Sequence, residues 1–203
     1  MSNTGEEIER VLILVKPEAM QEPGKVLAYF DRAKLKLIKA ERIVPAPKLI
    51  EEHYQADPDW LEGAGGHWVK GQAKLLAAGE TLAGTIYTEA KLAGQHLREL
   101  LIDNYADEEI VAAIYEGVNA VKVARGVCGH TDPSKADAGT VRGDLSKDSG
   151  DKATAEDRPI RNCVHVSSSV ADANREIKLW FSRPATSTTT TDAADRKKVP
   201  TAC

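Results

Sequence analysis

A chain of 203 residues, 42% hydrophobic and 29% charged, has the make-up of one soluble globular domain with extensions, or at most two small ones. Its formal charge of −4 argues against a general nucleic-acid binder, which needs a basic face, but leaves room for a local cationic pocket. Residues 1–7 are acidic and polar, unlike a secretory signal, and Cys128, Cys163 and Cys203 lack metal-ligand spacing and suit free thiols in a reducing cytoplasm.

Residues 11–15 are apolar on both faces and predict a buried strand, too short to span a bilayer, running into Lys16-Pro17. Within 24–36, Val26, Leu27, Phe30 and Ala33 recur at helical spacing and predict an amphipathic helix. Residues 37–44 read as a second strand stopped by Pro45 and Pro47, and 48–54 as a short helix. The Ala-, Gly-, Leu- and Lys-rich stretch 55–104 reads as helical in two pieces. A third strand at 110–115 closes at Glu116-Gly117, and 119–128 follow as a helix with Val121, Ala124 and Val127 on one side. A turn-rich loop covers 129–144, then a polar, charged stretch 146–158. Residues 162–166 are the fourth strand. Ser169-Val170-Ala171-Asp172 has the form of a helix start, and Val170, Ala173, Ile177 and Phe181 give that helix an apolar stripe. The threonine-rich stretch 184–203 has no apolar periodicity and is expected to be disordered.

The order β-α-β-α-β-α-β-α predicts one α/β (α+β) domain over residues 1–183, a ferredoxin-like split βαβ sandwich on a four-stranded antiparallel sheet. Residues 55–104 and 146–158 fall outside that minimal scheme and read as insertions.

Basic and polar residues gather where these elements end. Lys16 ends the first strand, Arg125 lies on the helix after Glu116-Gly117, Thr131 and Arg142 lie in the 129–144 loop, and Asn162 stands three residues before His165. A neutral imidazole, of unperturbed pKa about 6.5, can attack phosphorus or carbonyl carbon at neutral pH. Three fixed cations beside it suit a triphosphate, because phosphoryl transfer is catalysed mostly by positioning and charge neutralisation. No Gly-x-x-x-x-Gly-Lys-Ser/Thr run is present, so side chains rather than a P-loop must hold phosphate. Glu176 can fix the imidazole tautomer, and the Ser167 hydroxyl can donate locally. His53, His67, His96 and His130 lack zinc-ligand spacing and read as surface or packing residues.

Val15-Lys16-Pro17-Glu18, His53-Tyr54, Glu116-Gly117-Val118-Asn119-Ala120-Val121, Gly139-Thr140-Val141-Arg142-Gly143-Asp144, Asn162-Cys163-Val164-His165 and Glu176-Ile177-Lys178-Leu179-Trp180-Phe181 together resemble the nucleoside diphosphate kinase family. The segments stand in the family's order and span roughly two-thirds of the chain. The resemblance implies a ferredoxin-like fold and a ping-pong reaction. A nucleoside triphosphate (ATP, GTP or a deoxy form) would give its γ-phosphoryl group to His165, and a diphosphate such as ADP or GDP would remove it. Mg²⁺ would bind through the substrate phosphates, with no metal ligand assigned to the protein. His165 would be nucleophile and carrier; Lys16, Arg125, Thr131, Arg142 and Asn162 the phosphate and ribose ligands; Tyr54, Ser167 and Glu176 the residues that surround and orient the imidazole. Base stacking would fall to Trp60 or Leu97. The family assembles as dimers that build tetramers or hexamers, so a cytoplasmic homo-oligomer is implied, with neither membrane nor nucleic acid as partner. After His165, Val166-Ser167-Ser168-Ser169 stands where the family commonly has Gly-Ser-Asp-Ser. That departure and the insertions leave open a second reading, a nucleotide-binding regulatory or scaffold protein with weakened catalysis.

Overall fold

Strand β1 (Ile8–Val15) takes the interior of the sheet because Val11, Leu12, Ile13, Leu14 and Val15 offer apolar side chains to both faces, and all five are fully buried. The computed structural model describes residues 7–182, so the expected disorder of 184–203 lies outside the described residues. β1 pairs antiparallel with β3 (Ile110–Val118) on one side and β4 (Val164–Val166) on the other. β2 (Lys36–Ile43) adds antiparallel to β3 at the edge, giving the order β2-β3-β1-β4. This is the four-stranded antiparallel, ferredoxin-like arrangement expected from the element order.

Alternation along the strands divides the core in two. Val11, Ile13 and Val15 join Val111, Ala113 and Tyr115 under α1 (Pro23–Arg32) and α5 (Ala120–Cys128), whose Phe30 and Ala124 fill that face. Leu12 and Leu14 join Ile110 and Ala112 on the opposite face, against α2 (Pro47–His53), α4 (Ala90–Tyr105) and α8 (Val170–Phe181). The predicted helix start at Ser169 is real: its hydroxyl accepts from the Asp172 amide at 3.1 Å.

The 55–104 stretch folds as two helices, α3 (Pro58–Ala77) and α4. Asp57 caps α3 by accepting from the Trp60 amide at 2.8 Å. The two helices touch backbone to backbone where glycines face them. A Cβ on Gly65 would lie 1.8 Å from the Ala90 carbonyl oxygen, and one on Gly94 would lie 2.0 Å from that of Leu61. Gln72, 1% exposed, donates to Thr85 O (2.8 Å) and accepts from the Tyr87 amide (2.9 Å), so one buried amide ties down the link between the helices.

The polar stretch 146–158 contains a short helix, α7 (Gly150–Ala155), and docks on that hairpin. Ala83 N donates to Ala155 O (2.9 Å), Lys74 pairs with Asp151 (2.5 Å), and His96 Nε2 lies 2.7 Å from Asp157 Oδ1. The two segments outside the minimal scheme are therefore in contact with one another. Two boundaries differ from expectation. The 129–144 loop ends in a helical turn, α6 (Val141–Leu145), capped by Thr140. The fourth strand begins at Val164 rather than residue 162, because Cys163 has a left-handed backbone (φ 67°) that cannot continue a strand. Among the described residues no helix is long and apolar enough to cross a membrane.

Candidate active site

The left-handed Cys163 backbone is where the site is made. Its amide donates to Glu18 Oε1 at 3.2 Å, and its carbonyl accepts from the Lys16 amide at 2.9 Å. The kink sends Asn162 sideways, where Nδ2 donates to Thr131 O at 2.9 Å, while His165 follows in β4 opposite Leu14 of β1. A cavity of about 470 Å³ opens here, lined among others by Lys16, Tyr54, Trp60, Arg125, Thr131, Arg142, Asn162 and His165. Eight of the residues named from sequence thus meet at one opening, although they derive from segments distant along the chain.

The electrostatics of the cavity are one-sided. Lys16 is 5% exposed, and burial, helped by the nearby Arg142 charge, pulls its pKa below the ordinary lysine value while Glu18 opposes. Arg142 is also pulled down by burial; Nη1 donates to Gly129 O (3.0 Å) and Nη2 to Val164 O (2.9 Å), leaving Nε buried without a partner. Among the described residues, no carboxylate lies within 4.0 Å of the charged nitrogens of Lys16, Arg125 or Arg142. Desolvated cations without counter-ions are costly unless an anion is bound there. Asn162 Oδ1 is a buried acceptor without a donor, which suits a ligand hydroxyl, while the cations face the anion. This arrangement is built to take an anion with several oxygens.

Behind the cavity lies the opposite charge. Glu176 on α8 is 4% exposed, with Oε1 3.3 Å from His165 Nε2 and Oε2 accepting from Ser167 Oγ at 2.6 Å. Ser167 in turn accepts from the Leu12 amide at 3.2 Å, so the central strand fixes the hydroxyl that fixes the carboxylate. Burial opposes ionisation of Glu176, but His165, His53 and Ser167 outweigh it and hold the carboxyl below its ordinary range. His165 Nε2 is buried and meets Glu176 as an ion-pair contact without hydrogen-bond geometry, while the side chain retains 21% exposure. In the rest of the divergent run Val166 is core and also lines the cavity, and Ser168 and Ser169 both bond Asp172.

Tyr54 stands edge-on to His165, with ring centroids 6.3 Å apart, and burial pushes its phenol pKa up, so it remains neutral. Ser167 and Glu176 act from behind the ring and do not line the cavity. Nor does Leu97; Leu101, one helical turn further along α4, lines it together with Trp60.

Four neighbours escaped the sequence reading. Leu101 and His130 line the cavity, and the ring of Tyr105, fully buried at the end of α4, lies 5.8 Å from Lys16 Nζ. His53, read as a surface or packing residue, is 4% exposed and meets the His165 ring edge-on at 4.5 Å between centroids. The adjacent Tyr54 was its one available signal. His53, His165 and Glu176 each bring a ligand-type atom within 4.8 Å of the others, as a metal site would. However, the Nδ1 lone pair of His53 is taken by the Trp180 indole N–H at 3.1 Å, which closes that use.

The family model for nucleoside diphosphate kinase matches residues 66–185. A nucleoside diphosphate kinase of Pyrobaculum aerophilum is 32% identical over 176 residues, covering 86% of this chain and 95% of its own. One from Staphylococcus saprophyticus is 31% identical, covering 86% of this chain and 88% of its own. Among solved structures, an NDP kinase from Pyrobaculum aerophilum superposes with a TM-score of 0.77 at 30% identity, over 86% of this chain and 96% of that one. A transition-state mimic of the Borrelia burgdorferi nucleoside-diphosphate kinase, with bound vanadate and ADP, gives 0.65 at 26% identity, over 86% and 87%.

Proposed function

The chain belongs to the nucleoside diphosphate kinase family and has its phosphotransferase activity, and from that premise we propose that His165 is the phosphoryl carrier of a ping-pong cycle. The observation that carries this reading is the pairing of a cavity-facing imidazole with a buried Lys16 and a part-buried Arg142 that have, among the described residues, no carboxylate within 4.0 Å. With Nε2 turned onto Glu176, Nδ1 is the nitrogen left to react. Its lone pair forms the N–P bond to the γ-phosphorus, the bond from that phosphorus to the β–γ bridging oxygen breaks, and the diphosphate leaves with the electron pair. A second diphosphate then attacks the phosphohistidine and reverses the step. Ionised Glu176 stabilises the imidazole as it gains positive character and retains the Nε2 proton.

Lys16 and Arg142 neutralise phosphoryl oxygens, Arg125 binds the outer phosphate, and Thr131 and Asn162 take the phosphate and ribose edge. Trp60, with Leu101 in place of Leu97, forms the wall for the base. Such a wall offers apolar contact rather than base-edge hydrogen bonds, which accounts for tolerance of ATP, GTP, ADP, GDP and their deoxy forms. Among the described residues no carboxylate lines the cavity, so these residues suit Mg²⁺ only as a companion held by the phosphates, where it would neutralise oxygen charge.

Residues 1–183 are read as one such domain, with 55–104 and 146–158 as insertions. Buried free Cys128 and Cys163 favour a reducing cytoplasm. The exposed edge strand β2, with Leu37 (43%) and Ile38 (38%) open, favours a homo-oligomer built from dimers.

Intact-mass spectrometry after brief incubation with Mg²⁺ and ATP tests the carrier. One acid-labile phosphoryl adduct should form, be absent from His165→Ala, and discharge on adding GDP. Bound nucleotide with no adduct would turn the assignment toward the regulatory or scaffold reading.

A further inference from the structure

His53 is a buried titratable group in contact with the reacting imidazole, and that mechanism gives it no task. It ends α2, and its carbonyl is held by Arg175 Nη2 of α8 at 3.4 Å. Its ring stands edge-on to His165 (4.5 Å), Tyr54 (4.7 Å) and Trp180 (5.6 Å). The charged groups around it are Glu176 and Arg175 on α8, with His165 from β4. Its Nδ1 lies 3.9 Å from Glu176 Oε1, the same oxygen that serves His165 Nε2 at 3.3 Å.

An indole N–H can only donate, so the nitrogen it meets must be unprotonated. The Trp180 contact to Nδ1 therefore puts the His53 proton on Nε2 and leaves a lone pair, not an N–H, on the side of Glu176. We propose that His53 is a positioning residue for the phosphoryl carrier: Trp180 keeps it from becoming a second imidazolium on Glu176, so that His165 is the one histidine the carboxylate serves, beside its contacts to Ser167 (2.6 Å) and Arg175 (3.6 Å).

Burial and the neighbouring His165 act in the same direction, lowering the His53 pKa well below the ordinary histidine value and outweighing Glu176. Freed from Trp180, an Nδ1–H on His53 could pair with Oε1 and draw the carboxylate away from His165. The loss would grow toward acid pH, where His53 protonates. The inference rests on His165 as carrier.

The variant that reads it is Trp180→Phe, which keeps most of the packing and removes the N–H. In the wild type, ¹⁵N chemical shifts should show His53 neutral, with its proton on Nε2, from about pH 5.5 to 8. In Trp180→Phe, the His53 pKa should rise above its wild-type value, with burial still holding it below the ordinary histidine value. The acid limb of the rate of His165 phosphorylation should move up by about half a pH unit or more. His53→Asn alone accepts from Trp180 and cannot ionise, so it should keep the wild-type acid limb. Added to Trp180→Phe, it should abolish the shift. A purely structural defect from losing the indole would persist in the double variant. Titration of His53 in the wild type, an unmoved acid limb in Trp180→Phe, or a shift surviving in the double variant would each overturn the proposal. A wild type that forms no phosphohistidine would count against the carrier assignment, while the ¹⁵N readout would still decide whether Trp180 holds His53 neutral.

Discussion

The cavity wall around Lys16, Arg142 and His165 and the α3–α4 hairpin with its α7 neighbour are built on opposite terms. The first retains unfavourable features: buried cations without counter-ions, partnerless atoms at Arg142 Nε and Asn162 Oδ1, and a left-handed Cys163. The second pairs most of its charged and polar groups internally, with glycines where backbones touch, a twice-bonded Gln72, and the Lys74–Asp151 and His96–Asp157 pairs, Trp68 Nε1 and the Tyr105 hydroxyl being buried exceptions. Strain collects where an anion is to be received, and packing is close where the task is to hold a wall in place. Substitutions in the two regions should therefore separate activity from stability.

The largest effect expected is His165→Ala, which should remove all phosphoryl transfer in a coupled nucleotide assay while leaving the melting temperature close to wild type. Turnover near the wild-type rate would remove His165 from the mechanism. Arg142→Ala should follow, with about 10²–10³-fold lower kcat/KM, the scale of losing one preorganised charge-stabilising donor. A loss below about threefold would show that its buried guanidinium does not face the reacting phosphoryl group.

Lys16→Met should weaken nucleotide binding yet raise the melting temperature of the nucleotide-free protein, because it removes a desolvated charge. The sign follows from linkage. The native Lys16 pKa is below the ordinary 10.5, so the unfolded chain binds more protons and stability rises with pH between those two values. The substitution should flatten that rise in denaturant titrations across alkaline pH; an unchanged slope would mean that Lys16 is solvated in the free protein.

On the hairpin the order reverses. Gly94→Ala should cost about 1–3 kcal/mol in denaturant unfolding, since its Cβ would overlap the Leu61 carbonyl and neither backbone can yield cheaply. Activity per folded molecule should drop far less than in Arg142→Ala. Smallest of all is Lys74→Ala. Its pair with Asp151 is largely exposed (68% and 50%), so a change within about 1 kcal/mol is expected, and a larger one would make the α7 clamp more important than its solvent exposure suggests.

Much of this could be read along the chain. The five-residue apolar run of β1, the capping serine at 169, and the helical spacing of Val26 and Phe30 are short-range patterns, and they formed the predicted elements. Lys16, Arg125, Arg142 and His165 stood out because chemistry-bearing residues fell at element ends. Less was legible where one residue in a helix had to be chosen. Leu97 and Leu101 share a face of α4, and only the packed fold selects Leu101 to line the cavity. Cys163 gave no warning of its left-handed turn, since a cysteine within an apolar run reads as strand.

By itself, then, the sequence determined the elements, the split βαβ order and the reacting group with its cations, because periodicity and residue chemistry are local properties. Only the tertiary structure decided that Lys16 would be buried with no carboxylate within 4.0 Å among the described residues, that the two extra segments would clasp one another, and that His53 would lie between Trp180 and the carboxylate serving His165. His53 and Trp180 are separated by 127 positions. No local pattern couples residues so far apart; packing α2 and α8 side by side on one face of the sheet does.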